Sequence, residues 1–274
     1  MSATTAPFRP ASAAASTITI TGMVRSEWIK MRSLRSTFWA YAATIVAGIG
    51  FSLLFALAVS SGDGGAMGPG AGIALGTSTL GLTFAQLPIA VLGVLVISGE
   101  YSTGMIRSTL TAVPKRLPAL WAKAAVFAVV TFVVGLVLTF GSYFATAPIL
   151  AGKGISSSIT DPGLAVGLAG GALFLALVGV ISLGIGTMLR SSAGGIAGAI
   201  GLLLLAPIVL GLIGAEWSRV VVDYLPTSAG QSLYTLAAGQ NGLVFEPWQA
   251  ILVLLGWTVV TLGGGALLLS RRDA

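Results

Sequence analysis

Six long apolar runs dominate this chain and leave it little choice of architecture. They cover roughly residues 38–60, 73–98, 120–150, 164–189, 194–214 and 248–269. About 20 helical residues cross the roughly 30 Å hydrocarbon core of a bilayer. In lipid every backbone N–H and C=O must be paired within the protein, so isolated runs of this length fold as helices. The sequence therefore predicts an all-α integral membrane protein with six transmembrane helices. Only 8% of residues are charged and mean hydropathy is +0.98, against about 25% charge in a soluble domain. A soluble fold is excluded.

The charges then give a topology. Arg9, Arg25, Lys30, Arg32, Arg35, Arg107, Lys115, Arg116, Lys123, Arg190, Arg271 and Arg272 fall on one side of the six-span arrangement, and only Lys153 and Arg219 on the other. Five of the eight acids, Asp63, Asp161, Glu216, Asp223 and Glu246, lie on that other side. Positively charged loops stay inside, so both termini are expected in the cytoplasm. The sequence pI near 10.1 is read as topology and contact with anionic lipid, with no nucleic-acid partner. Pro88 and Pro207 are expected to kink spans two and five, and Pro148 to end span three.

Several chemistries lack their residues. There is no cysteine and no histidine, which removes disulfides, thiolate metal sites and the histidine-dependent catalytic constellations. With Lys123 counted in a loop, no span carries Asp, Glu, Lys, Arg or His, the groups that proton-coupled carriers place in mid-membrane. Lys153 sits in AGKGIS with no preceding strand, so no phosphate-cradling loop is present. The chain is expected not to be an enzyme, with no catalytic residue, cofactor or metal of its own.

Residues 1–20 lack apolar length and periodicity and are expected to be a disordered tail, with the membrane domain at 21–272. In residues 21–38, Val24, Trp28, Met31, Leu34 and Phe38 step at helical spacing, with Arg25, Lys30 and Arg32 on other faces and Glu27 and Arg35 intruding on the apolar side. This reads as an interfacial amphipathic helix on the cytoplasmic leaflet. A plain topological anchor is the alternative.

The interval from Gly99 to Lys123 is polar, basic and punctuated by Pro114 and Pro118. Ile106, Leu110 and Val113 share a helical face, Ser102 or Thr103 can cap its start, and Pro114 stops it. A short helix over Thr103 to Val113 is predicted, a shape suited to receiving force from a partner. Beyond span five, Ala215 to Pro247 mixes short apolar stretches with Gly and Pro. It reads either as re-entrant helices or as an ordinary outer loop. The pairs Gly167/Gly171, Ser182/Gly186 and Gly194/Gly198 permit close helix approach, within one chain or between subunits.

Taken together, the amphipathic helix, six spans, GEYSTGMIRSTL followed by PKR, and YLP before span six resemble the permease subunits of bacterial type-2 ABC exporters over roughly residues 21–272. The most specific match is Glu100, Gly104, Ile106 and Arg107. The resemblance implies a half-transporter in the plasma membrane that works as a homo- or heterodimer with a second permease copy or paralogue. A separate nucleotide-binding subunit would bind ATP and Mg. The coupling surface would comprise Glu100, Gly104, Ile106, Arg107, Lys115 and Arg116, and Tyr224, Leu225 and Pro226 would belong to a re-entrant outer region. The implied cargo is a hydrophobic or amphipathic solute such as a drug, antibiotic or lipid. The alternatives are a non-transporting anchor or immunity subunit and a self-contained secondary carrier.

Overall fold

In the computed structural model, residues 19–61, 70–102, 116–236 and 245–271 are described. All regular elements among them are helical, with no strand. In chain order they are α1 (Ile20–Ser33), α2 (Arg35–Ser61), α3 (Gly70–Thr79), α4 (Gly81–Ser102), α5 (Arg116–Ala151), α6 (Leu164–Leu189) and α7 (Ser192–Ile200). A π-helical turn over Gly201–Leu205 follows, then α8 (Ala206–Ile213), α9 (Glu216–Asp223), α10 (Pro226–Gln231) and α11 (Pro247–Arg271). Six stretches are long and apolar enough to cross a membrane: Arg35–Ser60, Gly70–Tyr101, Leu117–Ala151, Leu164–Leu189, Ser192–Ile213 and Pro247–Ser270. The protein is an all-α, multi-pass membrane protein.

The boundaries differ from the sequence expectations in instructive ways. The N-terminal helix starts at Ile20, where the Thr19 side chain accepts the Gly22 N–H at 3.2 Å and so satisfies an orphan donor. It ends at Ser33, because Leu34 is extended at φ −81° and ψ 104°. Phe38 therefore belongs to the first span, and the apolar stripe expected to run from Val24 to Phe38 is split between two helices. Span three continues through Pro148 to Ala151, so that proline does not end it.

Span two is interrupted at Leu80, and Pro88 lies within the helix that follows, α4. Thr77, Ser78 and Thr79 each turn the hydroxyl back onto the carbonyl four residues earlier, at 2.6, 2.6 and 2.7 Å. Such back-bonding competes with the helical ladder. Ser52 of α2 spans the break: it donates to the Ser78 carbonyl at 3.2 Å and accepts the Gly81 N–H at 3.3 Å. Gly81 itself lies so close to the Gly48 carbonyl that no side chain fits.

α6 is the centre of the bundle. Two thirds of its apolar window (67%) is buried, against 22% for α2 and 11% for Ser192–Ile213. Its small residues let neighbours reach its backbone. Gly93 of α4 abuts the Gly179 carbonyl, and a Cβ on Gly184 would stand 2.7 Å from the Thr261 and Leu262 backbone of α11. Gly167, Gly171 and Gly186 meet Leu75, Leu82 and Val94 respectively. These are packing positions inside one chain, the first of the two readings of the small-residue pairs.

Candidate functional site

Four charged side chains converge where α1 meets the bundle. Lys123 Nζ, in the second turn of α5, lies 2.6 Å from Glu27 Oε2 and 2.8 Å from Glu100 Oε1. Lys30 Nζ lies 2.8 Å from Glu27 Oε1 and 3.0 Å from the same Glu100 oxygen. The result is a closed ring of two carboxylates and two ammonium groups with no formal net charge. Glu27, Glu100 and Lys123 are buried, and Lys30 is one-third exposed. Glu100 Oε2 is buried and makes no hydrogen bond among the described residues.

The local structure explains how the ring forms. Met23, Glu27 and Lys30 follow each other at helical spacing, so one face of α1 turns inward and carries both an acid and a base. α4 brings Glu100 in its last turn, and α5 returns with Lys123 in its early turns. Burial alone would lower the Lys30 pKa, but the hydrogen bonds and charges of Glu27 and Glu100 outweigh it and hold the ammonium above its ordinary 10.5. Charges removed from water need such complete pairing, because a lone buried ion costs several kcal/mol.

Glu27 turns inward with Met23, while the stripe residues Val24, Trp28 and Leu34 are exposed and Met31 is half-buried. The ring corrects one sequence expectation: the spans do carry ionisable groups, with Glu100 within Gly70–Tyr101 and Lys123 within Leu117–Ala151. Both sit near helix ends, where neutral pairing is affordable. Of the expected coupling residues, Glu100 stands in the ring, and Arg116 is the first residue of α5. Gly104, Ile106, Arg107 and Lys115, with the helix expected over Thr103 to Val113, lie outside the described residues. Sequence reasoning missed Lys30 and Lys123 as partners of Glu100. The Glu27/Lys30 spacing and the single base set in an apolar helix were the available signals.

A second cluster shares this end. Arg190, in the left-handed conformation at φ 52°, caps α6. Its guanidinium lies 5.5 Å from the Tyr101 ring centroid, and Nη2 donates to the Leu268 carbonyl at 3.4 Å. Ser192 and Ser98 hydroxyls are 2.9 Å apart. α4, α6, α7 and α11 are tied together there.

At the opposite end, α9 and α10 fold back on the bundle. Leu225, Pro226, Ala229 and Gly230 are buried, while Tyr224 is exposed. Trp257 Nε1 donates to the Tyr224 carbonyl at 2.8 Å. Thr227 donates to the Leu203 carbonyl at 2.9 Å, with Gln86 Oε1 at 3.3 Å. The reason lies in the sequence: the helical donor for Leu203 would be the N–H of residue 207, and that residue is proline. The π-helical turn ends just before it, as expected where the ladder is disturbed.

Among the described residues no group of His, Cys, Asp or Glu is placed to hold a metal ion; in the ring, lysines take the positions around the carboxylates. The chain matches no family model and none of the curated proteins.

Proposed function

We propose that the chain is the membrane-spanning subunit of an ATP-driven exporter in the bacterial plasma membrane, with both termini cytoplasmic. In this reading it acts as a dimer with a second permease copy or paralogue. A separate ABC ATPase subunit binds ATP and Mg and supplies the energy. The cargo is a hydrophobic or amphipathic solute.

One observation supports this most. The ring fastens α1 to both ends of the Gly99–Lys123 interval at once, through Glu100 at its start in α4 and Lys123 at its end in α5. A push delivered to that interval would pass into α1, α4 and α5 together, as rigid-body coupling requires. The GEYSTGMIRSTL resemblance and the missing phosphate-binding loop point the same way.

The test is reconstitution in proteoliposomes with and without a phosphate-loop ATPase encoded beside this chain. Solute movement that needs both subunits and ATP supports the reading, with hydrolysis stimulated by the permease and lowered by reversing Arg107. Transport by the chain alone would overturn it in favour of a carrier. Stable ATPase binding with no transport of any candidate solute would overturn it in favour of an anchor.

A further inference from the structure

The inward face of α1 is occupied by the charge ring, but its neighbouring face overhangs α5 and leaves a groove. Val24, Arg25 and Trp28 of α1 line one wall, and Ala125, Val126 and Val129 of α5 the other. The volume is about 350 Å³, within the roughly 300–1,000 Å³ of small-molecule sites. Nearly every surface in it is apolar, and the exception in charge is Arg25. Among the described residues Arg25 makes no ion pair, and the ring acids Glu27 and Glu100 are both engaged by lysines.

We infer that this groove binds one anionic phospholipid, its phosphate on Arg25 and one acyl chain along Ala125 and Val129. The argument is charge and shape complementarity. An arginine fork matches a phosphate in two parallel hydrogen bonds, and its aliphatic stem can lie on apolar surface while the head reaches the headgroup layer. Trp28, 44% exposed, is the residue type that favours the headgroup level. Ala125 and Val129 are exposed one turn apart on α5, so they continue the apolar wall from the level of Lys123 toward the bilayer interior. A zwitterionic lipid would satisfy the groove walls but leave the arginine facing a headgroup with no net charge. The inference is independent of the exporter reading, since it needs only a multi-pass protein in a bilayer.

The test uses the full chain in vesicles of phosphatidylcholine carrying a trace of photoactivatable lipid, with the reactive group on the acyl chain. Phosphatidylglycerol and phosphatidylcholine probes are compared, and labelled peptides are mapped by mass spectrometry. The expected result is preferential labelling of residues 24–28 and 125–129 by the anionic probe. Arg25→Gln should lower that preference about fivefold, and Arg25→Lys should retain part of it. Ala125→Phe, which fills the groove without touching a charge, should abolish labelling there while peptides from α11 remain labelled, a control for folding. Equal labelling by both probes would overturn the inference and leave only bulk lipid contact. A preference unchanged in Arg25→Gln, or a peptide rather than a lipid captured in the groove, would overturn it equally.

Discussion

Lys123 Nζ and Glu27 Oε2 lie 2.6 Å apart although 96 residues separate them in the chain. The contact joins a helix outside the six spans to the third of them, and both side chains are buried. Removing the lysine would leave Glu27 and Glu100 held near each other with Lys30 alone to balance them. Lys123→Met is therefore expected to destabilise the protein by about 3–5 kcal/mol. Thermal or denaturant unfolding in detergent micelles reads this directly, and a loss below about 1 kcal/mol would mean the ring behaves like a surface pair.

The ring should also be sensitive to alkali. Because Lys30 is held above its ordinary value of 10.5, its folded form binds a proton more tightly than its unfolded form. Its contribution is complete below that ordinary value and is lost as pH rises through the higher folded one. The fluorescence of Trp28, isolated as the difference between the native chain and Trp28→Phe, should change in that alkaline window. In Lys30→Met the change should vanish.

Thr227 is expected to matter because residue 207 has no N–H. Thr227→Val strands the Leu203 carbonyl and should cost about 1–3 kcal/mol. In a Pro207→Ala background the helix regains its own donor, so the same substitution should cost clearly less. Equal costs in the two backgrounds would show that the hydroxyl does not serve the broken ladder.

Two glycines give opposite expectations. Gly93→Ala drives a Cβ into the Gly179 carbonyl, a backbone atom that cannot move aside, and should destabilise by about 1–3 kcal/mol. Gly50→Ala meets nothing within 4 Å and should be neutral or stabilising by roughly 0.5–1 kcal/mol through helix propensity. Unfolding of both variants in the same detergent separates them.

The spans were legible because lipid imposes a length and a composition that loops do not share. Leu164–Leu189 falls where apolar run and flanking charges place it. The break at Leu80 was not legible, since three hydroxyls and a serine from α2 cooperate there and no single residue announces it. Glu100 stands out in the sequence as an acid among bases, whereas by charge alone Lys123 is one more inside marker. Topology counts only the sign of a charge, and the pairing of Lys123 with Glu27 is a tertiary fact. The fold-back of α10 was half visible, in Pro226 and the glycines. Its attachment to Leu203 depended on connecting Pro207 with a hydroxyl 20 residues on.

Because α6 touches its neighbours backbone to backbone, displacing it would open gaps along its whole length. α2 is pinned despite its 22% burial, through Ser52 and the approach of Gly81 to the Gly48 carbonyl. The Ser192–Ile213 stretch, only 11% buried, has the smallest buried share to lose by tilting, so the molecule is stiff along its axis and most compliant at that outer rod.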